Sequence, residues 1–181
     1  MFLNRPILGI ALLLSTVSSA QDAPDWKLVG FSEAKGKEPS TGVFYLQSEI
    51  KRLPAGIVQV WTKSLSSAKL QRAYESAKKP FIAIVVEKVR SGYQPPYATV
   101  TKLTDDQRID AVSYEVLADE GSINPVARML WDIDCGQSTY RIVSMITAER
   151  EVTHPPGERM AVPPESLIQT LAALACKPST P

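Results

Sequence analysis

Hydrophobic and polar positions alternate with a period of two in five short segments of the chain, and three stretches switch to helical spacing. Residues 25–31 place Trp26, Leu28 and Phe31 among polar neighbours and predict a strand, followed by an exposed loop rich in Gly, Lys and Pro. Residues 43–47 are aromatic and β-branched, and residues 57–62 set Val58, Val60 and Thr62 against Ile57, Gln59 and Trp61. With Pro54-Ala55-Gly56 as a turn between the latter two, these segments predict an antiparallel meander. Residues 128–135 and 139–150 alternate in the same way around Gly136-Gln137-Ser138 and predict a hairpin in which Asp132 and Asp134 share the solvent face.

The helical stretches lie between and after these strands. Residues 64–79 are rich in helix formers and stop at Pro80. Residues 104–117 open with Thr104 and Gln107 at capping-box spacing, carry Asp105 and Asp106 in the first turn, and line up Ile109, Val112, Val116 and Leu117 on one stripe. Gly121 supplies the terminator. Residues 166–175 repeat the capping spacing with Ser166 and Gln169 and put Leu167, Leu171 and Leu174 on one face. Residues 81–89 read as a strand, although a short β-branched run has no periodicity that separates strand from helix. The fold class is therefore α+β: a small antiparallel sheet of about six strands, a C-terminal helix packed on it, and one or two inserted helices.

The first 20 residues alter the picture of where this domain works. Arg5 precedes an apolar run, and the segment closes on Ser18-Ser19-Ala20, the layout of a secretory signal peptide with cleavage after Ala20. The run is too short and too interrupted by Ser and Thr for a spanning helix. Gln21 follows the cut, so no Cys is available there for lipid attachment. The expected product is a single domain over residues 21–176 with a frayed tail at 177–181, periplasmic or secreted. Arg5 is the only charged residue ahead of the cut, so cleavage brings the 20 basic and 19 acidic residues to parity. A neutral chain has no long-range field to steer it to nucleic acid or anionic lipid.

Export also changes the reading of the two cysteines, Cys135 and Cys176. In an oxidising compartment a pair without CxxC spacing reads as one structural disulfide, worth roughly 4 kcal/mol on chain-entropy grounds.

Catalytic chemistry finds little support. The single histidine, His154, is flanked by Thr153 and Pro155-Pro156 and reads as a bystander in a Pro-rich loop, and no GxSxG elbow accompanies it. With the cysteines bridged, too few ligands remain for structural zinc. Asp105-Asp106, Asp119-Glu120 and Asp132 with Asp134 lack EF-hand spacing. No cofactor is expected. An extracytoplasmic hydrolase using His154 or a carboxylate cluster is the alternative to a binding domain, and a structural envelope component is a third reading. Trp26, Trp61 and Trp131 read mainly as core, but form a candidate binding face if two of them are exposed together.

Several short segments in order resemble the surface-adhesin protein E-like family of Gram-negative secreted proteins. They are Trp26-Lys27-Leu28-Val29, Val43-Phe44-Tyr45 with Ile50-Lys51-Arg52, Val58-Gln59-Val60-Trp61, Asp134-Cys135 with Tyr140-Arg141, and Val162-Pro163-Pro164-Glu165-Ser166 leading to Cys176. The resemblance implies a small antiparallel sheet backed by a C-terminal helix, with the two cysteines bridged. Residues 64–126 exceed the family pattern and read as a helical insertion. On this reading the chain is a non-enzymatic interaction domain of the bacterial envelope, its partner an envelope or extracellular protein, engaged through a sheet edge or an apolar groove.

Overall fold

The structure, a computed structural model, describes residues 25–33, 40–77, 79–154 and 157–177. The proposed signal segment and residues 178–181 lie outside the described residues. The fold is α+β. Eight strands form one antiparallel sheet: β1 (Trp26–Ser32), β2 (Thr41–Leu46), β3 (Lys51–Leu53), β4 (Ile57–Ser66), β5 (Ala127–Asp134), β6 (Thr139–Thr147), β7 (Glu151–Thr153) and β8 (Met160–Ala161). Four helices accompany them: α1 (Ser67–Glu75), α2 (Lys79–Arg90), α3 (Asp105–Glu120) and α4 (Leu167–Ala175).

The order across the sheet is β1-β2-β4-β5-β6-β7, with β3 also on β4 and β8 also on β6. Since β5 pairs with β4 from Ile57 to Ser64, β2 and β3 are two segments on the opposite edge of β4. Six positions across are thus filled by eight strands. Between the neighbouring strands β4 and β5 the chain leaves the sheet and builds α1, α2 and α3.

Both faces of the sheet are covered, and two cores result. On one face Leu28, Phe44 and Leu65 pack with Leu70 of α1 and Ala111, Leu117 and Ala118 of α3. On the other, Val29, Tyr45, Val58, Val60 and Ile133 pack with Leu171, Leu174 and Ala175 of α4. Full burial of a side chain such as Phe44 contributes about 2–3 kcal/mol. The Cys135–Cys176 bond, with Cα atoms 5.7 Å apart and 41 residues between its ends, fastens the end of α4 to the end of β5. Lys177, where the frayed tail was expected to begin, accepts at its carbonyl from Arg52 and donates from Nζ to Thr99 Oγ1 at 2.6 Å.

Three elements differ from the sequence expectation. The strand expected to end at residue 62 continues through Ser66, because Lys63 and Ser64 pair with both β2 and β5. A helix cannot begin until that pairing ends. Residues 81–89 belong to helix α2, with Pro80 in its first turn, where a missing N–H costs nothing. Only Val85 is fully buried there, and Ile82 is half exposed, so the β-branched run sits against α3 instead of joining the sheet. The α3 stripe is also shifted: Val112 and Leu117 are buried as expected, together with Ala111, Glu115 and Ala118, while Ile109 and Val116 are half-buried.

The caps form as expected on α3, where Thr104 Oγ1 accepts from the Gln107 N–H, Gln107 Oε1 accepts from the Thr104 N–H, and Gly121 closes the helix at φ +67°. On α4 the Ser166 hydroxyl accepts from the Gln169 N–H, but Gln169 Oε1 accepts from Glu165 instead of Ser166. A bulge in β1 sends both Val29 and Gly30 toward α4. Gly30 has φ +152°, and a Cβ there would lie 2.8 Å from Leu167 Cδ2, so this close approach requires glycine.

Candidate functional site

The sheet register separates the three tryptophans. Directly opposed residues of an antiparallel pair project to the same face. Trp61 opposes Leu130, which places Trp131 on the other side. Trp26 opposes Leu46 of β2, the strand lying between β1 and β4. Trp26 and Trp61 therefore belong to the face of α1–α3, where with Leu46, Glu49, Arg128 and Ile146 they line a cleft of 190 Å³. Both are half-buried. Trp131 belongs to the α4 face, its ring centroid 5.8 Å from that of Tyr140. Two of the three candidate residues come together, and the third does not.

On the α4 face the helix covers the middle of the sheet and leaves a pocket of 260 Å³ beside its first two turns. Val29, Val43, Met129, Trp131, Leu167 and Leu171 supply most of its wall. The hydroxyls lining it are largely consumed among themselves. Ser32 and Thr41 bond each other at 2.8 Å, and Thr62 accepts from Trp131 Nε1 at 2.8 Å while donating to the Met129 carbonyl. Ser64 alone brings to the pocket a hydroxyl with no hydrogen bond among the described residues. Among the described residues no charged side chain lines it.

A buried polar cluster lies where β1 meets α3. Glu115 has no exposed surface; its Oε1 accepts from the Leu28 N–H at 3.0 Å and its Oε2 from the Tyr93 hydroxyl at 2.7 Å. Lys27 Nζ donates to that same phenol oxygen at 2.8 Å. Burial pushes the Glu115 carboxyl up to about 7 and the Lys27 ammonium down from its usual value. Asp119 takes the N–H groups of Asp25 and Trp26 at 2.7 and 2.8 Å. Asp119 and Glu115 thus occupy the outward N–H groups of Trp26 and Leu28, which blocks strand addition along the first half of the edge strand β1. Lys63, also buried, donates to the Ala118 carbonyl at 2.7 Å and lies 4.1 Å over the Trp26 ring, its pKa lowered to about 8 by burial. The sequence reading missed this cluster. Its available signal was the spacing of Ala111, Glu115 and Ala118, which puts a carboxylate in a helical stripe of small residues.

The remaining candidates lie apart from these sites. Asp132 and Asp134 share a face but are buried, 2% and 9% exposed, contrary to the solvent face expected for them. Arg141 grips Asp132 Oδ2 through Nε and Nη2 at 2.9 and 2.6 Å, and Gln59 donates to Oδ1 at 3.0 Å. Asp134 Oδ1 accepts from the Gly136 and Gln137 N–H groups and shapes the hairpin turn. His154 is exposed; its N–H donates to the Val143 carbonyl, and its ring has no hydrogen-bond or ion-pair partner among the described residues. Among the described residues no group of three or more His, Cys, Asp or Glu side chains is placed to hold a metal ion, and no helix is long and apolar enough to cross a membrane. Comparison of the chain with protein-family models, with curated proteins and with solved structures finds no match to any of them.

Proposed function

We propose that this chain is an exported, non-enzymatic binding domain of the bacterial envelope, resembling the surface-adhesin protein E-like family, that holds an uncharged apolar group in the pocket between α4 and the sheet. The observation that carries this reading is the pocket's lining: apolar side chains, hydroxyls already paired with one another, and Ser64 left to orient an occupant. Ligand sites combine an apolar wall with a few placed polar groups in this way. The disulfide between Cys135 and Cys176 fastens the C-terminal end of α4, the helix that forms one side of the pocket, to the end of β5. A hydrocarbon chain burying about 200 Å² of apolar surface there gains roughly 5 kcal/mol, against which stands the cost of immobilising it.

The test uses a neutral apolar fluorophore, N-phenyl-1-naphthylamine, with decanol as competitor. The expected result is enhanced emission that decanol reverses and that Ser64→Phe abolishes, because a phenyl ring at Ser64 fills the pocket without removing any core side chain. Emission unchanged by Ser64→Phe in a folded variant overturns the assignment of the pocket.

A further inference from the structure

The cleft at Trp26 and Trp61 lies on the opposite face of the sheet from the α4 pocket and has a different composition. Its walls are two indoles carried by β1 and β4, with Leu46 of the intervening strand as the floor. Two strand spacings put the backbones of β1 and β4 roughly 9.5 Å apart. The 190 Å³ of the cleft suit one ring and not a stack of two. Its rim is polar and of mixed sign, with Glu49 from the turn after β2 and Arg128 from β5.

We propose that this cleft binds a single pyranose ring of a glycan. A pyranose has apolar C–H faces that pack on aromatic rings and an equator of hydroxyls, each able to donate and to accept. Glu49 takes hydroxyl hydrogens and Arg128 supplies N–H donors, so the two rim residues match that equator. A cationic side chain fits poorly, because Arg128 stands in the rim and the Lys63 ammonium lies 4.1 Å over the Trp26 ring, against the single carboxylate of Glu49. Lys63 itself does not line the cleft; it is buried and held by the Ala118 carbonyl. A plain hydrocarbon ring would desolvate Glu49 and Arg128 with nothing in return. The site is independent of the apolar pocket, and neither proposal depends on the other.

Saturation-transfer NMR on the exported chain with maltotriose and N,N′-diacetylchitobiose at millimolar concentration tests it. The expected result is transfer to ring C–H protons of at least one sugar, lost in Trp61→Ala and kept in Trp131→Ala, whose side chain lies on the other face. Glu49→Ala, at an exposed turn, keeps the fold and weakens binding several-fold even where Trp61→Ala is poorly folded. Absence of transfer from both sugars, transfer indifferent to Trp61→Ala and Glu49→Ala, or transfer to uridine in place of the sugars overturns the proposal.

Discussion

Glu115→Gln is expected to make the protein more stable relative to the parent as pH rises, although it removes a buried residue from a hydrogen-bonded cluster. Glu115 is fully buried, and its carboxyl is pushed from the ordinary 4.5 up to about 7, chiefly by loss of hydration. A folded-state pKa above the unfolded one means that the unfolded chain releases its proton first. The stability this group contributes is complete below about pH 4.5 and is lost progressively as pH rises to about 7. The interval of about 2.5 units, at 1.36 kcal/mol each, amounts to roughly 3 kcal/mol. Glutamine does not titrate, and its amide can still accept from the Leu28 N–H and donate to the Tyr93 oxygen.

The groups facing Glu115 do not reverse this expectation. Lys27 on β1, Tyr93 after α2, Tyr45 on β2 and Asp119 on α3 are its electrostatic neighbours, and Lys88 acts on Lys27. Without the Glu115 charge the buried Lys27 ammonium is held less well, so its pKa falls further. A depressed lysine makes stability rise with pH, which enlarges the same difference. Lys63, lowered to about 8, titrates at the upper end, so the comparison is best confined between about pH 5 and pH 7.5. Urea denaturation followed by circular dichroism should show the variant gaining roughly 2 kcal/mol of that on the parent across the window, or about 4–8 °C in Tm. Parallel pH profiles for the two proteins would refute the claim that burial governs this carboxyl.

Two further outcomes follow from the packing. Reduction of the Cys135–Cys176 bond, or Cys135→Ser with Cys176→Ser, should cost about 4 kcal/mol and lower Tm by roughly 8–16 °C, read by thermal denaturation with and without reductant, because a 41-residue separation is released. Asp132→Ala leaves Arg141 and Gln59 without their acceptor and should cost roughly 1–3 kcal/mol in urea unfolding, with Asp132→Asn milder because it keeps one oxygen for Gln59.

Local order was legible wherever near neighbours decide it. The α3 cap at Thr104 and Gln107, the stop at Gly121, the hairpin around residues 136–138 and the α4 face of Leu167, Leu171 and Leu174 all depend on residues within a few positions of one another. The α+β class and the pairing of the two cysteines were also readable, since alternation, helical spacing and an even cysteine count are properties of the chain itself.

Non-local pairing decided the rest. Whether residues 81–89 become strand or helix depends on access to a sheet edge, which one short apolar run cannot report. The separation of Trp131 from Trp26 and Trp61 follows from the register of β4 on β5, and a shift of one residue would have exchanged the faces. The burial of Asp132, Glu115, Lys27 and Lys63 depends on partners contributed from distant segments: Arg141 and Gln59, Leu28 and Tyr93, Ala118. A charged residue's own hydropathy places it in water, and only the tertiary structure supplies the hydrogen bonds that let it leave. The sequence by itself therefore determined which segments alternate, coil and cap. The folding of the sheet between two helical layers decided which of their side chains meet in a cleft, a pocket or a buried cluster.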